Sequence, residues 1–189
     1  MKDRFGDWNL YHKSVAALVA AFAFGVVLRG ILVIDTAFEL EGSREINASA
    51  ETVWSLMSRD ENRDRWQAEM VDVVELTGPT AEKGATRLIF WKRGLKRWQA
   101  VERTRDILPG RLLSFEQSAD RDTRWVTISL AVVDDCTTRL DITEIIEPTE
   151  YLDRFWFFSA RGRHEARLDP SFDAMERWAS EEDSNCPAN

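Results

Sequence analysis

Residues 43–66 read SREINASAETVWSLMSRDENRDRW, and the expectation for the whole fold grows from them. The stretch opens with the end of a strand. Ser49 opens a helix: its side-chain oxygen can accept from the backbone N–H of Glu51 or Thr52, while Glu51 brings negative charge to the positive helix end. Val53, Trp54 and Met57 fall at i, i+1 and i+4 and share one buried face. Asp60 is placed to cap a second short helix ending near Trp66 and Met70. The long stretch that follows has almost no helical periodicity and repeated two-residue alternation. A strand and a short helical pair feeding a run of strands builds a curved sheet around a cavity. A binder of apolar small molecules is therefore the first functional expectation.

The alternation assigns faces strand by strand. In 125–133, Val126, Ile128, Leu130 and Val132 lie on one side, with Trp125, Thr127, Ser129 and Ala131 on the other. Leu140, Ile142, Glu144 and Ile146 continue the inner face on the next strand, and Leu113, Phe115 and Gln117 alternate likewise. From Lys96 to Leu108 the facing stays open, with Trp98, Ala100, Glu102 and Thr104 on one side but Val101 and Ile107 on the other. Gly94 and Pro109-Gly110 mark turns. With 71–76, 86–92 and the first strand, the pattern predicts an antiparallel sheet of about seven strands. From Tyr151 the period becomes helical, through Leu152, Phe155 and Trp156 and later Leu168, Phe172, Met175 and Ala179, with Trp178 adjacent. Gly162 and Asp169-Pro170 predict an interruption, leaving either a hinged lid or two consecutive helices.

The strand followed by INASAETVWSLMSR, the tryptophan beyond it, the glycine-opened strand KGATRLIF, the turn ILPGRLLSFE and the strand TTRLDITEIIE together resemble the START/polyketide-cyclase (SRPBCC) superfamily over residues 38–180. The resemblance implies an α+β helix-grip fold whose sheet wraps around C-terminal helices that close the pocket. It implies binding or transfer of a hydrophobic small molecule such as a lipid, an isoprenoid quinone or a polyketide-like compound. The expected pocket lining is Trp54, Trp98, Phe115, Val126, Ile128, Leu130, Ile142, Glu144, Phe172 and Met175. Two alternatives stay open: a cyclase, aromatase or hydrolase using a pocket carboxylate, and an interaction module with a vestigial cavity.

Glu144 and Glu102 are the catalytic candidates, because each falls in an otherwise apolar or inward register. A carboxylate in an apolar cavity can act as a general acid or a ligand anchor. The competing reading pairs each with one of the many arginines, such as Arg87, Arg103, Arg105 or Arg139. Nothing else competes for catalysis. The chain has no Walker loop, GxGxxG or GxSxG motif, only two histidines, and no HExxH motif, so neither a cofactor nor a metal is expected. The balance favours ligand handling over catalysis.

Charge and cysteine usage bound the partners. The net charge is −8. Residues 1–34 hold four Lys/Arg against two Asp/Glu, leaving 21 basic and 31 acidic side chains in the remainder. A domain that acidic repels phosphate backbones, which argues against nucleic-acid binding. Cys136 and Cys186 are far apart in sequence, and the second lies in a polar segment, so a disulfide is not expected and residues 181–189 read as a disordered tail.

After an N-terminal flank (residues 1–13), residues 14–34 read SVAALVAAFAFGVVLRGILVI, with Arg29 the only charge. A helix of that length spans roughly 30 Å, the thickness of a bilayer core. Trp8, Tyr11 and Lys13 flank it as interfacial residues do, and Arg29 can snorkel from near the far end. A single-pass membrane anchor is the leading reading, with a cleaved signal peptide as the alternative. Lys2, Arg4 and Lys13 outweigh Arg29 and Arg44, which puts the domain on the non-cytoplasmic side. Ala17, Ala21 and Gly25 recur every four residues and allow close packing of two spans in a homodimer. Arg161, Arg163, His164 and Arg167 form a basic cluster suited either to anionic headgroups or to water.

Overall fold

The computed structural model describes residues 4–34, 37–67, 69–150, 153–154, 157, 162, 166–183 and 185–186, and in the first stretch the side chains of 11–30. Leu152, Phe155, Trp156, Arg161, Arg163 and His164 lie outside these residues. The chain forms two units, residues 1–36 and 37–189.

The first unit is one helix, α1 (Arg4–Ile34). Within it Tyr11–Gly30 is long and apolar enough to cross a membrane, with mean hydropathy 1.6, a test that a signal sequence also passes. Leu18, Val19, Phe22, Phe24, Val26 and Val27 are all exposed, as is the stripe of Ala17, Ala21 and Gly25.

The second unit begins with β1 (Phe38–Ile46) and runs through α2 (Ala50–Ser58), a 3-10 turn (Asp60–Asn62) and α3 (Arg63–Trp66). Six strands follow: β2 (Met70–Thr77), β3 (Thr86–Arg93), β4 (Lys96–Leu108), β5 (Leu112–Ser118), β6 (Asp122–Asp134) and β7 (Thr137–Pro148). The chain then forms α4 (Leu168–Glu182). The seven strands make one antiparallel sheet in the order β1-β7-β6-β5-β4-β3-β2. The seven strands match the number the alternation predicts, and the whole is the α+β helix-grip arrangement that the family resemblance implies. Gly94 (φ 59°) and Gly110 (φ 74°) take the left-handed turn conformations between β3, β4 and β5, which cost glycine nothing.

The facing of β4 has a structural answer. Ala100, Glu102 and Thr104 are buried and Val101 is exposed, yet Ile107 also packs on the core. A register shift between Thr104 and Asp106 reconciles them, since a bulge moves the following side chains to the other face. Val132 is a correction: it is 69% exposed, lying in the last three residues of β6, all of which are exposed.

The helices close one face of the sheet. Ser49 caps α2 by accepting from Thr52 N at 3.4 Å, and Val53, Leu56 and Met57 are buried beneath it with Trp54 half-buried. Asp60 does not cap; it opens the 3-10 turn and its carboxylate accepts from Thr80 Oγ1. α4 buries Leu168, Phe172, Ala174, Met175 and Ala179. Asp169-Pro170 begins this helix instead of breaking it: Pro170 sits in the first turn, where the missing N–H is one that no helix bonds internally.

The C-terminus corrects two expectations. Cys136 and Cys186 form a disulfide, with Cα atoms 5.3 Å apart. Cys136 lies in the β6–β7 turn, so the bridge fastens the end of the chain to the sheet. Residues 181–182 are helical, Asp183 accepts from Ser49 N (2.8 Å) and Thr52 Oγ1 (3.0 Å), and Cys186 is buried. The described part of the tail is thus ordered. Sequence separation conceals this, because the fold brings a distant turn beside the end of α4.

Candidate functional site

A cavity of about 60 Å³ lies between the inner face of the sheet and the start of α4. Strand pairing builds its floor in ranks: Phe115 lies opposite Val126, which lies opposite Glu144, and Ile128 lies opposite Ile142. Gln117 extends the β5 row. Trp91 on β3, and Trp66, Gln67 and Glu69 around the end of α3, form one side. Arg167, Leu168 and Ser171 close the other from α4. Among the described residues no group of three or more His, Cys, Asp or Glu is arranged to hold a metal.

Two charge clusters flank this space. In the first, Glu102 is fully buried and accepts from Arg63 Nη2 (2.8 Å), Arg87 Nη1 (3.0 Å) and Gln117 Nε2 (2.8 Å). Arg63 Nη1 also donates to Glu102 Oε1. Arg87 donates to Thr104 Oγ1 at 2.7 Å, and Asp60 stands 3.7 Å from Arg87 and 4.0 Å from Arg63. Arg63 further stacks its guanidinium over the Phe115 ring, 5.1 Å from the centroid. Burial works against the Arg63 charge, but the charge and hydrogen bonds of Glu102 outweigh it and hold its pKa above the usual value. For Arg87 burial wins, with repulsion from Arg63 adding to it, and its pKa lies below the usual value. Gln117 joins this cluster to the cavity wall.

The second cluster centres on Glu144. Its Oε1 accepts from Arg124 Nη1 at 3.3 Å and its Oε2 from Arg167 Nη2. Arg124 also donates to Asp122. Burial opposes the Arg124 charge, yet Asp122 and Glu144 together raise its pKa above the usual value. A carboxylate with both oxygens accepting from guanidinium groups anchors those groups. To act as a general acid, Glu144 would have to release one of them. Arg167 does not face water with a basic cluster; it bridges α4 to β7.

Of the residues the sequence singles out for the pocket, Phe115, Val126, Ile128, Ile142 and Glu144 line the cavity. The other five do not. Leu130, Phe172 and Met175 belong to the adjoining solid core, with Trp54 half-buried against it. Trp98 stacks on Trp91 at 6.2 Å between centroids, in a separate cluster with Met70 and Ile89. Glu102 lies behind the wall, in the arginine cluster. The reason is where α4 begins: its first turn covers the cavity, so Leu168 and Ser171 meet it, while Phe172 presses on Gly42 of β1. Trp91, one of the tryptophans whose placement in the sequence suits a cavity wall, lines it too; sequence reasoning misses Trp66, Gln67, Glu69, Gln117, Arg167, Leu168 and Ser171 as lining. Gln117 is legible from its register with Phe115. The rest depend on how the helices sit on the sheet.

These features define a class: a helix-grip domain with a partly open cavity between an antiparallel sheet and a C-terminal helix. Residues 37–155 match the family model described as "Polyketide cyclase / dehydrase and lipid transport", and the chain belongs to that family. No curated protein matches the chain by sequence. Solved structures share the fold. The Zhui aromatase/cyclase from Streptomyces sp. R1128 is similar at TM-score 0.62 and 14% identity, over 75% of this chain and 94% of that one. A START superfamily protein from Mycobacterium smegmatis is similar at TM-score 0.62 and 15% identity, over 76% and 97% respectively. The di-domain ARO/CYC BexL from the BE-7585A biosynthetic pathway is similar at TM-score 0.60 and 16% identity, over 74% of this chain and 46% of that one.

Proposed function

We propose that the domain binds a small hydrophobic molecule in the cavity beneath α4 and holds it beside a membrane. The observation that carries this reading is the composition of the wall: aromatic and aliphatic side chains from three adjacent strands, with the charged groups paired to one another. Apolar enclosure with a few oriented polar groups is what small-molecule sites have in common. At about 60 Å³ the cavity has room for a few waters or one compact group. A ring-sized ligand suits this small space better than a lipid chain or quinone tail. Ligand-observed NMR of the full chain in lipid nanodiscs, with toluene as probe and empty nanodiscs as reference, tests it. Saturation transfer above the reference supports binding, and transfer equal to the reference overturns it.

A cyclase-type reaction is the second reading, favoured by the presence of Glu144 in the wall of a domain whose family includes cyclases. Glu144→Gln abolishing turnover of a candidate polyketide-like substrate, with binding retained, would support it; unchanged turnover would remove Glu144 from that role.

The anchor belongs to the same proposal. α1 spans the membrane with its N-terminus inside, and the domain lies on the outer side. Basic residues before the span support this orientation, and so does the Cys136–Cys186 disulfide, because such bonds persist in oxidising compartments. A thiol reagent applied to denatured protein before and after reduction tests the disulfide on which this orientation leans. Labelling only after reduction agrees; labelling without reduction contradicts it.

A further inference from the structure

The β3–β4 hairpin carries an exposed feature that the cavity does not use. No Asp or Glu lies between Glu82 and Glu102, and the hairpin tip reads Lys92-Arg93-Gly94-Leu95-Lys96-Arg97, four cations in a chain whose net charge is −8. The tip stands clear of the rest of the sheet. β5 pairs with β4 only as far as Val101, and β2 with β3 only as far as Trp91. From Val101 to Lys96, β4 runs on for roughly 16 Å past its last pairing with β5. Every residue from Lys92 to Arg97 is exposed, and Leu95 at the apex is 104% exposed, its side chain wholly in solvent.

Most of this charge is uncommitted. Arg93 pairs with Glu69, but among the described residues no acidic group is paired with Lys92, Lys96 or Arg97. The cations also leave the hairpin in different directions. Arg93 lies opposite Lys96, and Lys92 opposite Arg97. Successive strand residues alternate faces, so the first pair shares the face of Trp91 and Trp98, and the second pair takes the other. Arg93 and Lys96 each stand over the Trp98 ring, 5.9 Å from its centroid. Only a surface met end-on lies within reach of both pairs and of Leu95.

We infer that the tip of the β3–β4 hairpin is a contact site for an anionic lipid bilayer, an assignment that rests on the proposed placement of the domain beside a membrane. Leu95 enters the apolar side of the headgroup layer while Lys92, Lys96 and Arg97 meet lipid phosphates. Each cation held near an anionic surface favours the docked form by about fivefold. A lone exposed leucine is ordinary on a protein surface. At the apex of a group of cations it matches an interface with charge outside and hydrocarbon beneath. An extended polyanion makes no use of the leucine and would run against the acidic remainder of the domain. The base of the same hairpin reaches the cavity, since Trp91 and Glu69, the partner of Arg93, both line it. A docked tip therefore holds the bilayer at the end of the strands where Trp91 meets the cavity.

The test is hydrogen–deuterium exchange of the full chain in two kinds of lipid nanodisc, phosphatidylcholine alone and a two-to-one mixture with phosphatidylglycerol. Amides of residues 92–98 should exchange at least about fivefold more slowly in the mixed discs. The amide of Gly110, in the turn at the other end of β4, should not change. The combined variant Lys92→Gln, Lys96→Gln and Arg97→Gln should lose the slowing, and Leu95→Ser should lose most of it. All four side chains are exposed, so neither variant disturbs the core. Equal exchange in the two kinds of disc overturns the lipid contact and leaves the membrane placement standing. Full slowing in either variant overturns the contact too. If heparin or polyglutamate added to phosphatidylcholine discs slows the same amides as much, the tip reads polyanions or acidic proteins and the lipid assignment is wrong. A chain that enters neither kind of disc overturns the membrane placement as well. The comparison of the two discs on the unmodified protein decides the matter without any variant.

Discussion

Glu102 shows how a single residue's role is decided by its neighbours. The sequence marks it as an acid on an inward register, which admits either catalysis or pairing. In the structure it accepts from Arg63, Arg87 and Gln117 with no exposure to water. Removing its charge leaves two guanidinium groups buried without their main partner. Glu102→Gln should therefore destabilise the domain by about 3–5 kcal/mol, measured by urea denaturation, whereas Glu116→Gln on the exposed Arg105 pair should cost under about 1 kcal/mol. Equal costs would refute the structural role. Asp183 makes a second residue-scale prediction. Hydrogen bonds from the backbone N–H of Ser49, and from Thr52, lower its carboxyl pKa to about 2 from an ordinary 3.8. A depressed folded pKa stabilises above the unfolded value and ceases to do so as pH falls through the folded one. Thermal melts should show this contribution intact above about pH 4 and lost towards pH 2, and Asp183→Asn should lack that dependence. Neither partner of Asp183 is visible in sequence, since α2 and the end of α4 meet only in the fold.

At the scale of elements, local chemistry is legible in the sequence and helix placement is not. Alternation marks the inner faces of β5, β6 and β7 because the strand period is two and one face is buried. Ser49 announces α2 because capping is a local hydrogen bond. Pro170 reads as a break in the sequence alone, since a proline's position within a helix depends on where the helix starts. The seating of α4 decides the site, and Gly42 sets that seating. A Cβ at Gly42 would stand 2.8 Å from Phe172 Cε2 and 3.0 Å from Leu168 Cδ1. Phe172 is nearly fully buried, so its ring has little room to yield. Gly42→Ala should cost about 1–3 kcal/mol and, by moving Leu168, should weaken toluene binding as well. Unchanged stability in urea denaturation would mean that the α4–β1 contact adjusts freely.

Across the whole molecule, a small, mainly apolar cavity, a helix of membrane-spanning length and a disulfide-fastened C-terminus coexist in one chain. The disulfide closes a loop of 50 residues in sequence separation, and loss of such a bridge typically costs about 2–5 kcal/mol, roughly the margin of a small domain. The stretch Ser43–Trp66 suggests a hollow fold, and it supplies part of the cavity through Trp66. It does not reveal that the interior carries two arginine-centred clusters, because charge pairing across strands depends on register and bulges. Those clusters pair the buried acidic groups with arginines and leave the apolar wall as the main feature. Native mass spectrometry of the full chain extracted in mild detergent is the most direct test of binding. One discrete adduct of small-molecule mass is expected, lost on heating and absent in Ser171→Trp, which fills the cavity from α4. A protein that carries no such adduct, and takes up none when exposed to para-cresol or toluene, would contradict the binding function.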